Sequence, residues 1–429
     1  MYIGIICEFD PLHSGHARLL SHARAMGADA VICAMSGNFT QRGSFAALDK
    51  RARAEMAVRC GADLVVELPT VWAMSPAETF ARGGVQLLAL TGVDTLLFGS
   101  ECGELSALRR LADCLDSPAF ADRLTAADSG ATFAVRRQRA AAALLGDADA
   151  ALLGDADAAL LESPNNTLAV EYLRALRRTG ASMTPATLLR TGAAHDGAPE
   201  GGTASASYLR QLLRQGQGEA ACGFTPPEAA DILRRELSHG RVTDSALCER
   251  AVLSRLRVMT EEDWRGYDPG GEGLYHRLYQ AARSACTVDG LLSAAKTKRY
   301  PLARLRRMAL AAYLQLPPAP AQVPYIRVLA ATAAGRTHLR RLRDAGAPVL
   351  TKPADVSSLG ADAAGTFTEI TLSTFYGAYY WKAALLMAPD TLTYLESADT
   401  KAAEVTGPEL DGVQPVYRPE LLDGTEDKI

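Results

Sequence analysis

Short, largely apolar runs without polar alternation follow one another over the first hundred residues, separated by helix-like stretches. The runs occupy residues 3–7, 30–35, 64–69 and 95–100. A Gly-x-Asp phrase precedes each of the last three, beginning at Gly27, Gly61 and Gly92. Glycine ends helices because it adopts left-handed backbone conformations at little cost, and a strand buried on both faces shows no alternation. We therefore predict an α/β fold in which parallel strands alternate with helices in a Rossmann-like, doubly wound sheet.

The same alternation resumes further along the chain. Residues 165–178 have helical spacing that ends at Gly180, and the run 186–190 that follows is a candidate fifth strand. A helix predicted over 208–215 completes this unit, so we expect the sheet domain to span residues 1–217.

One segment within this domain is alanine-rich and contains a perfect tandem repeat. The octapeptide LLGDADAA occurs at 144–151 and again at 152–159. A repeat architecture needs several stacked units, which one duplication does not provide. We expect an insertion over about residues 140–162 that lengthens a surface helix or loop.

From Thr225 onward the pattern becomes helical. Thr225 begins a capping-box sequence with proline at the first helical position, and Thr260 precedes an acidic first turn typical of another helix start. Residues 323–330 are compatible with a strand or a short helix. We expect a mainly α-helical, basic domain over 225–350 and a C-terminal segment, 351–429, whose structure the pattern leaves open.

Composition narrows the class of protein. The chain has 429 residues, 22% of them charged, and a net charge of −4, which argues against a disordered chain. No run of about 18 uncharged apolar residues is available to span a membrane. The eight cysteines form no CxxC pair and no zinc-like cluster, which favours free thiols and no metal site. Since the N-terminal residues resemble a first strand and not a signal peptide, we expect a cytoplasmic protein.

The strongest chemical signal is the turn EFDPLHSGH, which joins the first strand to the first helix at residues 8–16. Ligands of open parallel sheets bind at the carboxyl ends of strands, where a helix N-terminus offers free N–H groups to phosphate. His13 and His16 are spaced to direct two imidazoles at one point, where they could donate hydrogen bonds during displacement at an α-phosphate. Gly15 would allow a nucleotide to approach the backbone. The alternative is two ordinary surface histidines at a helix cap.

Six further blocks follow this turn in a fixed order. They are MSGNFTQRGSFAALDKRARAEMA (35–57), DLVVELP, FGSE (98–101), SPNNTLAVEYL (163–173), SASYLR (205–210) and KTKRYPLARLRRM (296–308). Together with the turn, they resemble the bacterial tRNA(Met) cytidine acetate ligase family of the HxGH nucleotidyltransferase superfamily, over about residues 1–350. Family members usually carry asparagine where this chain has Asp10 and Ser14, and the octapeptide repeat also departs from the family pattern.

The resemblance implies a two-step, ATP-dependent ligase reaction. Acetate and ATP would form acetyl-adenylate and pyrophosphate, and the acetyl group would then pass to the exocyclic amine of the wobble cytidine of elongator tRNA(Met), giving N4-acetylcytidine. Acetate is already ionised at pH 7, so the first step needs positioning and charge neutralisation and no base. The cytidine amine is a poor nucleophile because its lone pair is delocalised, which explains the need for an activated acyl donor. Mg²⁺ is expected with ATP.

The resemblance also implies site residues within a nucleotidyltransferase-like, ATP-binding catalytic domain. His13 and His16 would be catalytic. The expected ATP-binding residues are Ile6, Cys7, Glu8, Phe9, Asp10, Pro11, Leu12, His13, Ser14, Gly15, His16, Leu19, Gly99, Asn165, Asn166, Arg190, Ser205 and Ser207. Several have plainer alternatives: a simple turn for Gly99, an exposed cation for Arg190, and helix capping for the asparagines and serines.

Two groups of cations suggest an RNA partner. Six lie in a run without an intervening acid: Lys296, Lys298, Arg299, Arg304, Arg306 and Arg307. We expect this run, predicted as a basic helix over 296–316 interrupted by Pro301, to contact tRNA phosphates. A second cluster lies at 336–343, and Tyr300 and Tyr325 could stack on bases or pack in the core.

The loop 35–44 and the helix after it extend the candidate site. The loop follows the second strand and could cover ATP or the acetate pocket. Lys50, Arg51 and Arg53 could meet tRNA phosphate, or they could form a solvated basic face.

Two other functions remain open at the level of sequence. A small-molecule adenylyltransferase would share the HxGH chemistry, but such enzymes are usually short. A non-catalytic nucleotide- and RNA-binding protein is the second alternative, which the intact histidines disfavour. The sequence leaves the oligomeric state undetermined.

Overall fold

The structure is a computed structural model that describes residues 1–126, 132–148, 158–191, 199, 203–268, 270, 271, 273–352, 355 and 356. The expectations for most of the second octapeptide and for the chain beyond residue 356 lie outside these residues.

A seven-stranded sheet forms the centre of the described part of the chain. Its strands are β1 (Tyr2–Cys7), β2 (Ala30–Ser36), β3 (Leu64–Leu68), β4 (Thr95–Ser100), β5 (Thr184–Leu189), β6 (Ile326–Ala331) and β7 (Val349–Leu350). They are ordered β5-β4-β1-β2-β3-β6-β7, and β1 to β5 pair in parallel. The predicted doubly wound α/β sheet is therefore confirmed, with the fifth strand starting two residues earlier than expected.

Helices cover both faces of this sheet and form a separate cluster after it. In chain order they are α1 (Ser14–Ala25), α2 (Lys50–Arg59), α3 (Thr70–Ala73), α4 (Ala77–Leu90), α5 (Leu105–Leu115), α6 (Pro118–Ala126), α7 (Phe133–Ala148), α8 (Pro164–Thr179), α9 (Ala206–Arg214), α10 (Gly218–Cys222), α11 (Pro227–Ser238), α12 (Glu249–Val258), α13 (Glu261–Arg265), α14 (Leu274–Ser284), α15 (Val288–Ala295), α16 (Leu302–Leu314) and α17 (Ala333–Asp344). Short 3₁₀ turns lie at Leu160–Glu162 and Ser245–Cys248. None of these described helices is long and apolar enough to cross a membrane.

Alternate residues of each central strand enter different cores. On one face Ile6, Ile32 and Val66 pack with α4 and α8, whereas on the other Ile5 and Cys33 pack with α1, α2, α9 and α11. A strand whose two faces are both covered has to be apolar throughout, which is why the runs lack alternation.

A third core holds the helical module, which we define as residues 249–314. Leu256, Trp264 and Leu305 are each 0% exposed within it. Thr260 caps α13 in a reciprocal box with Asp263, as its position predicts. The box expected at Thr225 does not form, because the Thr225 hydroxyl donates instead to the Cys222 carbonyl at 2.8 Å.

After this module the chain returns to the sheet. The run left open between strand and helix forms β6, which pairs antiparallel with β3 and parallel with β7. The sheet domain that we expect over residues 1–217 contains β1 to β5, but β6 and β7 join the same sheet after the module. The helical module is thus attached to the sheet at both of its ends.

Candidate active site

A cleft of about 380 Å³ opens at the carboxyl ends of the parallel strands, above the β1–β4 pair where the strand order reverses. Such a switch point is where open α/β sheets bind ligands. Most of the expected ATP-binding residues line it, namely Ile6, Cys7, Glu8, Phe9, Asp10, His13, Gly15, His16, Leu19, Gly99, Asn165, Arg190 and Ser205.

The two histidines form a capping box at the start of α1. The Nδ1 atom of His13 accepts from the Gly15 N–H at 3.1 Å, and Nδ1 of His16 accepts from the His13 N–H at 3.4 Å. Because both Nδ1 atoms are acceptors, each neutral ring carries its proton on Nε2. The rings lie 3.8 Å apart between centroids. The cap therefore provides two adjacent N–H donors beside the cleft.

His16 is held in its neutral form. Burial lowers the pKa of His16 well below 6.5, and electrostatic interaction with His13, Arg190 and Arg210 lowers it further. A neutral imidazole at pH 7 retains the Nδ1 acceptor on which the cap depends.

Gly15 leaves room for the His13 ring as well as for a ligand. A Cβ atom at this position would lie 2.9 Å from Cε1 of His13, which is too close for real side chains. The glycine therefore allows the His13 ring to fold over the first turn of α1.

Four arginines line the cleft, and they are Arg18, Arg42, Arg190 and Arg210. Arg210 donates to the Asp10 carbonyl at 2.6 Å and to the Ser207 hydroxyl at 3.1 Å, which fixes its position. Arg18 donates to Thr191. Burial lowers the pKa of Arg190. The cleft is thus a cationic environment suited to phosphate.

Two carboxylates follow β1. Asp10 is 2% exposed, and its Oδ1 accepts from the Ala47 N–H at 2.6 Å. Glu8 accepts the Gln41 N–H on Oε1 at 2.7 Å. Burial raises the pKa of Glu8, and the nearby charge of Asp10 raises it further.

A second helix N-terminus at the cleft already holds an anion. The Glu101 carboxylate accepts from the Asn165 side chain at 2.6 Å and from the Asn166 N–H at 2.7 Å at the start of α8. In return, Asn166 Oδ1 accepts from the Glu101 N–H at 2.9 Å. These reciprocal hydrogen bonds join the FGSE motif at the end of β4 to the PNN motif at the start of α8.

Five of the expected ATP-binding residues lie outside the cleft lining: Pro11, Leu12, Ser14, Asn166 and Ser207. Leu12 is buried in the core, and Ser14 donates to the Phe224 carbonyl at 3.0 Å. Asn166 and Ser207 hold Glu101 and Arg210 as described. These polar residues position the lining and do not form it.

Sequence reasoning missed the apolar wall of the cleft and one of its cations. The wall includes Phe80, Phe98 and Tyr172, with the last two rings 5.7 Å apart between centroids. Aromatic residues on strands and helices resemble ordinary core residues, so no local pattern separates them. Arg18 follows His16 by only two residues, a spacing that does not predict a shared helix face, so no helical pattern indicated its place in the lining.

Of the three α2 cations that could meet tRNA phosphate, Lys50 and Arg53 are structural, whereas Arg51 is exposed. Lys50, 2% exposed, donates to Glu67 at 3.0 Å, and Arg327 also pairs with Glu67, at 3.1 Å. Arg53, 0% exposed, donates to the carbonyls of Glu8 and Ser36 at the strand ends. Neither Lys50 nor Arg53 is available to tRNA or lies on a solvated face, because both satisfy buried acceptors.

The basic run divides into exposed and anchored cations. Lys296, Lys298 and Arg299 are exposed on a non-helical segment between α15 and α16, so the predicted helix begins only after Pro301. Arg304 pairs with buried Asp268 at 3.2 Å. Arg307 donates to the Gln41 carbonyl at 3.1 Å, and burial lowers its pKa to about 10.

The remaining RNA-binding candidates lie elsewhere. Helix α17, which carries the 336–343 cluster, contacts Tyr2, Asp63 and Thr91 at the amino ends of strands, opposite the cleft. Tyr300 and Tyr325 are 6% and 2% exposed, so both pack in the core.

Metal ligands do not converge in the described part of the chain, where no three His, Cys, Asp or Glu side chains form a group that could hold an ion.

The chain is similar over most of its length to proteins of one family. A family model described as HIGH Nucleotidyl Transferase matches residues 1–382. The tRNA(Met) cytidine acetate ligase of Syntrophotalea carbinolica is 38% identical over 318 residues, 71% of this chain and 72% of that protein. The protein of the same name from Kosmotoga olearia is 34% identical over 364 residues, 82% of this chain and 85% of that protein.

Solved structures agree with this likeness. The apo crystal structure of Thermotoga maritima TmcAL has a TM-score of 0.78 at 30% identity, covering 83% of this chain and 88% of that one. The same protein bound with alpha-thio ATP has a TM-score of 0.77 at 28% identity, covering 94% and 92%.

Proposed function

This chain belongs to the tRNA(Met) cytidine acetate ligase family within the HIGH nucleotidyl transferases, and we propose that it catalyses the corresponding reaction. Acetate and ATP form acetyl-adenylate and pyrophosphate, and the acetyl group then passes to the wobble cytidine amine of elongator tRNA(Met). The observation that carries this proposal is the pair of imidazoles that caps α1 inside an arginine-lined cleft at the strand switch point.

The residues of the cleft suit the first step. The acetate oxygen attacks the α-phosphorus, and negative charge moves onto the departing pyrophosphate. Two Nε2–H donors held in advance by the cap stabilise that charge without reorganisation, as do the fixed arginines. Neutral His16 needs no protonation to donate, so it acts at pH 7 with its lowered pKa.

Magnesium is proposed to arrive as MgATP, because ATP phosphates can supply oxygen ligands that the described residues do not gather.

Contact with tRNA is proposed at the exposed part of the basic run, Lys296, Lys298 and Arg299, together with the partly buried Arg306. Arg304 and Arg307 carry protein hydrogen bonds and are the weaker candidates of the expected six. Exposed cations bind a phosphate backbone through counterion release, so this binding should depend steeply on salt.

One assay tests the function and separates it from the alternatives. The protein is incubated with labelled acetate, ATP and total tRNA, and the RNA is digested to nucleosides. Label in N4-acetylcytidine supports the proposal. Transfer of an adenylyl group to a small metabolite would instead identify an adenylyltransferase, and nucleotide binding without turnover would identify a non-catalytic binding protein.

A further inference from the structure

Glu8 is an anionic side chain in a cleft built for anions. The four lining arginines suit a triphosphate, and acetate is also an anion. A carboxylate beside these reactants repels both of them. Its position is explained either by a structural role or by the third reactant, the cytidine amine, which has protons to lose.

The neighbouring carboxylate shows what a purely structural role looks like. Asp10 is 2% exposed and accepts the Ala47 N–H on Oδ1, and its Oδ2 lies 3.5 Å from Arg210. Glu8 lines the cleft as Asp10 does, but it uses only Oε1, for the Gln41 N–H. Among the described residues, Oε2 of Glu8 has no hydrogen-bond partner.

Glu8 shares the cleft with both the arginines and the aromatic wall. The charged and titratable groups that act on it or are acted on by it are Cys7, Asp10, Arg53, Tyr172 and Arg210. The Glu8 charge contributes to the raised pKa of Tyr172, a residue of the aromatic wall with Phe98. Glu8, Phe98 and Tyr172 line the same cleft, and its apolar wall suits a pyrimidine ring and an acetyl group.

We propose that Glu8 is the base of the acyl-transfer step, a role that rests on the proposed function. The N4 lone pair of cytidine attacks the carbonyl carbon of acetyl-adenylate, and a C–N bond forms. The Glu8 carboxylate takes a proton from N4. The bond from the acetyl carbon to the phosphate oxygen breaks, AMP leaves with that electron pair, and Glu8 then gives its proton to solvent.

The environment of Glu8 favours this role. Burial raises its pKa, as does the charge of Asp10, and a base whose pKa is closer to the working pH is the more effective. The Gln41 N–H orients the carboxylate through one oxygen and leaves the other for the amine.

The test separates the two half-reactions. Glu8→Gln keeps an oxygen that accepts from the Gln41 N–H but cannot take a proton. Exchange of pyrophosphate into ATP in the presence of acetate reports adenylation, and single-turnover acetylation of tRNA from supplied acetyl-adenylate reports transfer. We expect transfer to slow by about 10²–10⁴-fold, and by far more than exchange slows. Glu219→Gln, an exposed glutamate on α10 paired with Arg234, is the matched control.

Each other result overturns the inference. Undiminished transfer in Glu8→Gln would show a structural role, and parallel loss of exchange would place Glu8 in the adenylation step. Should that variant fold poorly by thermal melting, the pH profile of wild-type transfer decides. Transfer, but not exchange, should fall as pH drops through a pKa above that of an ordinary glutamate, and a flat profile would refute the role. A wild-type protein that performs neither half-reaction would overturn the proposed function itself.

Discussion

The cleft and the helical module hold their cations in different ways. In the cleft, Arg210 and Arg18 are fixed by hydrogen bonds to Asp10, Ser207 and Thr191. In the module, Lys296 and Lys298 extend from an exposed, non-helical segment. Fixed cations recognise one geometry, as a triphosphate requires at the moment of displacement. Exposed cations tolerate a long polyanion in many arrangements and are screened by salt.

The largest expected effect concerns the cleft, whose side chains are held by hydrogen bonds. His16→Ala should slow acetyl-adenylate formation by about 10²–10³-fold, since it removes one preorganised donor, while tRNA binding stays unchanged. Pyrophosphate exchange and filter binding measure the two quantities. His16→Asn, which keeps a side-chain acceptor for the cap, and exposed His239→Ala are the controls. Wild-type exchange rates in both His16 variants would remove the histidine from the chemistry.

The next largest effect concerns the cations of the helical module. Replacing Lys296, Lys298, Arg299 and Arg306 together by glutamate should weaken tRNA binding on the order of 10²-fold at low salt and lower the salt slope by about four. Pyrophosphate exchange should not change, because these residues lie outside the cleft lining. An unaltered salt slope would exclude this segment as the tRNA surface.

Arg307 tests the boundary between the two regions. It belongs to the basic run by sequence, but its side chain holds the Gln41 carbonyl of the cleft loop. Arg307→Met should therefore slow adenylation about fivefold, from the loss of a hydrogen bond worth about 1 kcal/mol, and leave the salt slope of tRNA binding unchanged. A slope reduced by one would mean that Arg307 contacts phosphate and that the regions are not distinct.

The smallest effect concerns pH and the cap. The pKa of His16 is lowered well below 6.5 in the folded protein. Between that lowered pKa and pH 6.5, His16 is therefore protonated in the unfolded chain and neutral in the folded one. This contribution to the free energy of unfolding is complete above pH 6.5 and is lost as pH falls toward the folded pKa, by at most about 1.4 kcal/mol per pH unit. Urea midpoints between pH 5 and 7.5 should show a shallower slope for His16→Asn, and an identical slope would contradict the shift.

Sequence patterns predicted the features that depend on residues close together in the chain. Gly27 and Gly61 do adopt left-handed backbone conformations before β2 and β3, and the histidine turn lies where strand order predicts. The missing parts depend on contacts distant in sequence. Arg53 resembled a surface cation until the carbonyls of two strand ends were placed around it, and the aromatic wall joins α4, β4 and α8.

The pairing of β6 with β3 could not be predicted from the sequence for the same reason. Its apolar run is short, and its partner β3 lies more than 250 residues earlier in the chain. Only the topology shows that the helical module is bounded on both sides by the sheet.

That double attachment has a consequence for dissecting the protein. A fragment ending at residue 217 would contain β1 to β5 and both histidines, yet β3, whose five residues are all buried, would lose β6 and become an unpaired edge strand. Unpaired, apolar edge strands pair with strands of other chains. Such a fragment should aggregate, so the nucleotide-binding half cannot be studied as an autonomous piece unless residues 326–350 are returned to it.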